Sequence, residues 1–342
     1  MFVGDISLGE HFFSFGHGPR TLLEEGRNPM EDCKELFAKA HLVIGNLEGP
    51  ISDFDYKPSS ALSRVFRGGN HSAKALSHVG VNVVSVANNH SLQHGLECFW
   101  ESIKNLEAAK VVVIGKSRAI ERWTILTVLG KRIGLIAASD IKDQNYVPHN
   151  SYRMLDVNEL ILDITALKIE CDIVILALHW GLESDILPDA SLKEMGHQFS
   201  IAGADIIVGH HPHIFYPIFA NNSNVIAHSL GNFVFDLPWS EQLRRSAILD
   251  ISFNAMDKLA SVSLWPVYIS RRGSPTLVGE EVRAPLTEVS NLANPLDLFH
   301  FQSLDSFIWL RKIIYFVIML PLGATHVKID FLLWKIKCKL RR

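Results

Sequence analysis

The sequence predicts an α/β fold with mixed sheets, and three observations predict it. Short, β-branched, nearly continuous apolar runs recur along residues 1–230, as expected of strands buried on both faces. Helical patterns lie between those runs, giving the strand–helix alternation of an α/β sheet. Each run ends in a polar motif, and open α/β sheets place ligands beyond the carboxyl ends of their strands. Polar motifs at successive strand ends therefore argue for one shared site.

The elements follow in order. Met1–Val3 leads into Gly4-Asp5, and His41–Ile44 into Gly45-Asn46-Leu47-Glu48. Val81–Ala87 leads into Asn88-Asn89-His90, and Asp172–Leu178 into His179-Trp180-Gly181. Ile206–Val208 leads into Gly209-His210-His211-Pro212-His213, and Val225–Ala227 into His228-Ser229-Leu230-Gly231-Asn232. Helical periodicity covers about 30–40, 71–79, 95–109, 156–168 and 189–203. Two hairpins are expected, Trp123–Leu129 with Arg132–Ala138 about Gly130-Lys131, and Ser246–Phe253 with Ala260–Ile269. Their antiparallel pairing is what makes the sheets mixed.

Apolar residues make up 48% of the 342-residue chain, enough for a large core. The main domain is expected over 1–285 and a linker, with weak periodicity, over 286–306. A basic, apolar helical segment follows over 307–342. Residues 301–342 hold eight Lys/Arg and two Asp, so residues 301–342 carry +6 and residues 1–300 carry −9 of the net −3. Phe307–Leu322 is apolar but interrupted by Arg311 and Lys312, and it falls short of the roughly 20 residues a spanning helix needs. Interfacial amphipathic helices touching an anionic surface and a helical pair packed on the body or on a second subunit are both open readings. The acidic body has no aromatic-basic stripe, which gives no support to a nucleic-acid partner. Cys33, Cys98, Cys171 and Cys338 show no zinc-type spacing and sit in apolar contexts, as reduced, buried thiols do. The N-terminus lacks a basic n-region and an apolar h-segment. The expectation is a cytoplasmic protein, with the tail as a peripheral contact at the inner membrane face.

The motifs supply the ligands of a hydrolytic two-metal centre: carboxylates, amides and imidazoles from several strands. Gly4 permits close backbone approach, and Asp5 after it can ligate a metal or simply cap a turn. Asn46 and Glu48 are two apart and share one face of an extended segment. Asn88 and Asn89 are poor strand formers after a buried strand, and His90 beside them can act as a general acid. His179 follows an apolar strand, with Glu183 four residues on. The cluster His210, His211 and His213 is the most specific feature, because several partly desolvated imidazoles need partners. His211 and His213 are expected on one side of extended backbone. Asn232 and Asp236 either line the site or belong to an ordinary turn.

These motifs, in this order, resemble the CapA family of poly-γ-glutamate capsule biosynthesis proteins, within the calcineurin-like metallophosphoesterase superfamily. The resemblance rests on Gly4-Asp5, Asn46-Leu47-Glu48, Ala87-Asn88-Asn89-His90, His179-Trp180-Gly181 with Glu183, Gly203-Ala204-Asp205 through His213, and Ser229–Phe233. It covers roughly residues 1–240. It implies a four-layered α/β/β/α sandwich and two divalent metal ions, drawn from manganese, zinc and iron. It further implies Asp5, Glu48, Asn89, His179, His211 and His213 as metal ligands and His90 as the catalytic residue. Asn46, Asn88, Glu183, His210 and Asn232 are expected to touch substrate or support the ligands. Asn46 or Glu48 can fill the place of the bridging carboxylate, and Glu48 is preferred for its anionic oxygen.

Two departures from the superfamily pattern stand out. Ser7 occupies the usual place of a histidine, which weakens one metal site. Gln93 stands where many members have an aspartate, which predicts a poorly oriented His90. The functional expectation is a metal-dependent phosphoesterase or hydrolase in surface-polymer synthesis, acting on an anionic polymer or a phosphoester. The rival is a non-catalytic accessory subunit that binds such a polymer, or scaffolds a synthase, through a degenerate metal site.

Overall fold

The structure, a computed structural model, describes residues 1–254, 256, 258–283, 290–291, 314, 317 and 329. Its strands run in chain order as β1 (Phe2–Ile6), β2 (Ile44–Leu47), β3 (Val83–Ser85), β4 (Val112–Ile114), β5 (Thr124–Val128) and β6 (Lys131–Ser139). They continue as β7 (Ile173–His179), β8 (Ile206–His210), β9 (Ile218–Ala220), β10 (Val225–Ala227) and β11 (Asn232–Val234). The last are β12 (Arg245–Phe253), β13 (Leu259–Ile269), β14 (Pro275–Leu277), β15 (Val282–Arg283) and β16 (Ser290–Asn291). The longer helices are α1 (Ser72–Val79), α2 (Leu96–Ala108), α3 (Val157–Glu170) and α4 (Ala190–Ala202).

The strands form two sheets. One has the order β14-β13-β12-β1-β2-β3-β4, with β11 also on β1 and β15 on β13. The other has the order β16-β9-β10-β8-β7-β6-β5. Neighbours from β1 to β4, and the set β6, β7, β8 and β10, are parallel. The hairpins β5–β6 and β12–β13 are antiparallel, so both sheets are mixed as expected. In the first hairpin Leu129 and Gly130 both have positive φ, 51° and 80°, the pattern of a tight two-residue turn matched to strand twist.

Strand β7 shows why its sequence is continuously apolar. Ile173, Ile175 and Ala177 join the core shared with the first sheet. Val174, Leu176 and Leu178 join a separate core with Leu160, Ile164 and Leu167 of α3 and Leu192 and Phe199 of α4. Alternate residues are thus buried on opposite faces. Helices α1 and α2 pack on the first sheet, with Leu76, Phe99, Ile103 and Leu106 in its core. The result is an α/β/β/α sandwich. Asp156 and Asp189 cap α3 and α4 by accepting from Glu159 N and Leu192 N. Burial would raise the pKa of Asp163 in α3. Hydrogen bonds from Arg118, Arg122 and Arg153 outweigh burial and hold it at about 2.

Several sequence expectations shift in detail. The helix expected at 30–40 is a 3-10 turn, Glu31–Cys33, followed by one α-turn, Lys34–Phe37. Strands β4, β9, β11, β14 and β15 are short and were not foreseen. Ser290–Asn291, inside the expected linker, pairs with β9. The rest of 286–306 and nearly all of the 307–342 segment, including Cys338, lie outside the described residues. Cys33, Cys98 and Cys171 are free and buried. Among the described residues no helix is long and apolar enough to cross a membrane.

Candidate metal centre

The polar motifs converge where the two sheets meet. Asp5 lies within β1, not after it, since the strand runs on to Ile6. A Cβ on Gly4 would stand 2.0 Å from the Gly231 carbonyl oxygen. Only glycine permits that approach, and it lets Asp5 N donate to Gly231 O at 2.9 Å. Asp5 thereby sits opposite Asn232 in β11 and Asn46 in β2. Gly209 plays the same part in β8, because a Cβ there would lie 1.9 Å from His228 O.

A hydrogen-bond lattice fixes the ligands. Asn46 Nδ2 donates to Asp5 Oδ1 at 2.9 Å and stands 3.3 Å from His179 Nδ1. Asn88 Nδ2 donates to Asn46 Oδ1 and to Leu47 O, and its Oδ1 accepts from His90 N. Asn89 Oδ1 lies 2.8 Å from His179 Nε2. His210 Nδ1 stands 3.0 Å from Asp5 Oδ1, and His211 N donates to Asp5 Oδ2. Asn232 Oδ1 meets His213 Nδ1 at 2.9 Å, while its Nδ2 donates to Leu243 O.

Ligand atoms of Asp5, Glu48 and His213 lie within 4.8 Å of one another, as do those of Glu48, His179 and His211. Glu48 belongs to both groups. Its side chain is buried, and neither carboxylate oxygen has a hydrogen-bond partner. The facing nitrogens, His90 Nε2 and His213 Nε2, are each 3.7 Å from Oε1, beyond hydrogen-bond length. An unpaired buried carboxylate is costly. Carboxylates, imidazoles and one amide oxygen are a donor set that suits a divalent transition metal. The residues present therefore fit a cation between Glu48 and the histidines.

The electrostatics agree with that fit. Burial, and next the neighbouring His211, push the His179 pKa well below the usual range. Burial and His213 hold His211 at about 4. Both rings are thus neutral, the form that ligates metals. Burial would lower the pKa of His213, but Glu48 and Asp5 together raise it to about 10. Burial raises Glu48 well above the carboxylate range, with Asp5 and Glu183 adding to the effect. Burial would also raise Asp5, yet His210 and His213 hold it well below its usual value. Without a cation, the charge that balances these two acids must come from His213 or from protons.

Two expectations change. His211 and His213 do not lie on extended backbone, because their φ values are 96° and 60°. Left-handed residues on both sides of Pro212 turn the chain so that both rings face the centre, at a conformational cost typical of functional sites. Asn46 turns its amide nitrogen to Asp5 Oδ1, whereas both Glu48 oxygens lack a partner, in keeping with the preference for Glu48. The Gln93 expectation also fails. Its Oε1 stands 2.7 Å from His90 Nδ1, so the ring is held by an amide in place of a carboxylate. Burial lowers the His90 pKa to about 4, against the opposing Gln93 bond.

Ser7 is buried with no partner for Oγ. Glu183 is exposed, and its charge reaches Glu48, His90, His211 and His213. Asp236 points elsewhere: its Oδ2 accepts from His11 N, and burial raises its pKa to about 7. Sequence reasoning missed Phe66, whose ring stacks on His90 at 4.1 Å. Phe66 has φ 50°, and only the following Gly68-Gly69 pair hints at unusual backbone there.

Residues 1–237 match the family of bacterial capsule synthesis proteins, PGA_cap. The chain belongs to this family. The family lies within the metallophosphoesterase-like superfamily, in keeping with the sandwich and the convergent His/Asp/Glu/Asn motifs. The PGA biosynthesis protein CapA of Bacillus subtilis (strain 168) is 30% identical over 257 residues, covering 72% of this chain and 66% of that protein. The capsule biosynthesis protein CapA of Bacillus anthracis is 27% identical over 250 residues, covering 70% and 60%. A probable polyglutamine synthesis accessory protein of Mycobacterium tuberculosis is 23% identical over 220 residues, covering 58% of each chain. This PGA_cap chain therefore spans a little under two thirds of the length of either Bacillus relative.

Proposed function

We propose that this protein is a metal-dependent hydrolase of the phosphoesterase type that serves the synthesis of poly-γ-glutamate or a similar anionic surface polymer. The observation that carries the reading is Glu48, a buried carboxylate with no hydrogen-bond partner that is common to both candidate ligand groups. Asp5, Glu48 and His213 would hold one divalent ion, and Glu48, Asn89, His179 and His211 a second. Bound there, such ions supply an activated water and charge stabilisation for phosphoester cleavage.

The chain's own residues do the rest. Asn46 and Asn232 fix Asp5 and His213 by hydrogen bonds. Gln93 holds the proton of His90 Nδ1, which leaves Nε2 toward the centre as an acceptor that can take a proton from the attacking water and pass it to the leaving oxygen. Phe66 covers one face of that ring and limits water access to it. The polymer context comes from the names of the Bacillus relatives. The 307–342 segment, basic and apolar in sequence, is proposed as a peripheral contact with an anionic membrane surface.

The test is elemental analysis of purified protein beside a His211→Ala/His213→Ala double variant, with phosphoester turnover measured on both. About one or two transition-metal ions per chain, lost in the variant together with turnover, is the expected result. Absence of metal in both proteins after reconstitution with manganese, zinc or iron overturns the hydrolase reading and favours an accessory subunit.

A further inference from the structure

The helix side of the second sheet carries a cavity that the metal centre does not use. Its volume is about 510 Å³, and it lies between α4, β9 and the end of β10. Phe219, Ile226 and Ile201 give it apolar walls, while Lys193, Asn224 and His228 are the polar groups that matter here. The alternation along β9 and β10 explains the lining. Ile218, Ala220, Val225 and Ala227 belong to the core between the sheets, which turns Phe219, Ile226 and His228 to the other face.

His228 is 2% exposed, and neither of its ring nitrogens has a hydrogen-bond partner. A buried imidazole in that condition is costly, and native structures almost always satisfy such groups. The ring is nonetheless fixed in place. Trp180 stacks against it at 5.9 Å, and Phe219 meets it edge-on at 5.7 Å. A Cβ on Gly196 of α4 would lie 3.1 Å from its Nε2, so a glycine in the helix makes room for it. Burial, and next the charge of Lys193, lower its pKa to about 4. At neutral pH the ring therefore offers one N–H donor, with the Lys193 ammonium close enough to act on it.

We propose that this cavity binds a small organic anion with a flat apolar body, an aromatic carboxylate being the simplest chemistry that fits. The carboxylate meets Lys193 and the His228 N–H, and the body lies on Phe219 and Ile226. The site stands directly behind the metal centre. The His228 carbonyl accepts from Trp180 Nε1 at 3.0 Å, and Trp180 N donates to His210 O. The inference does not depend on the hydrolase reading.

The experiment follows the His228 ring signals of the ¹⁵N-histidine-labelled full chain during titration with benzoate, assigned with a His228→Gln variant. Acetate supplies the charge without the body, and benzyl alcohol the ring without the charge. Ile201 is 74% exposed, so Ile201→Trp can narrow the cavity without disturbing the core. A saturable benzoate response is expected. It should weaken roughly tenfold in Lys193→Ala, disappear in Ile201→Trp, and be absent with acetate and benzyl alcohol. No saturable response, or one that survives either substitution unchanged, overturns the proposal.

Discussion

Gln93 Oε1 stands 2.7 Å from His90 Nδ1, so the ring nitrogen facing it carries the proton. A neutral amide orients the imidazole as a carboxylate would, but it adds no negative charge to stabilise the imidazolium. Gln93→Ala should lower hydrolytic turnover about tenfold with little change in stability. Gln93→Glu should keep the orientation and raise the His90 pKa above its present value of about 4. A pH–rate profile reads both effects. Turnover unchanged in Gln93→Ala would mean that His90 does not need this partner.

Glu48→Gln should separate ligation from folding. Metal content should fall, because the shared anionic ligand is gone. The metal-free variant should be no less stable than metal-free wild type, since Glu48 makes no hydrogen bond that the amide would lose. Urea titrations of both apo proteins check this. A loss of apo stability of about 3 kcal/mol or more would show that Glu48 is satisfied without a cation.

Gly4→Ala and Gly209→Ala each place a methyl group about 2 Å from a backbone carbonyl oxygen of a neighbouring segment, Gly231 and His228. Overpacking of backbone against backbone should cost about 3 kcal/mol or prevent folding. Gly26, whose surroundings within 4 Å are empty, has φ +77° and serves as the comparison for backbone strain without a clash. Denaturant midpoints for the three variants decide the ranking, and a Gly4→Ala protein as stable as Gly26→Ala would contradict the packing described.

Asp163 makes the acid side of the stability curve predictable. Its folded pKa of about 2 lies below the ordinary value of 3.8. The stabilisation is therefore complete above pH 3.8 and is lost as the pH falls through 2. Asp163→Asn should cost about 2 kcal/mol at neutral pH and flatten this part of the acid limb. Urea midpoints at stepped pH test both statements, and parallel curves for the two proteins would refute them.

Much of this was legible in the sequence, because the signals are local. Buried strands read as apolar runs, and the longer helices as stretches of helical periodicity between them. Asn89, His90, His179, His211 and His213 were identifiable as polar residues at or after strand ends, and Asp5 by the Gly4-Asp5 motif, although it lies within β1. The fold class and the candidate ligands follow from patterns a few residues long.

What only the tertiary structure decided depends on contacts between distant segments. The pairing of Asn46 with Asp5 and His179, against the unpaired oxygens of Glu48, depends on contacts with β1 and β7. The role of Gln93 turned on one distance. The left-handed turn at His211 and His213, the stacking of Phe66, and the unsatisfied His228 have no local code. Each arises because close packing of two sheets and the helices on them fixes a side chain's neighbours, and those neighbours decide whether a polar group is paired, neutral or left to bind something else.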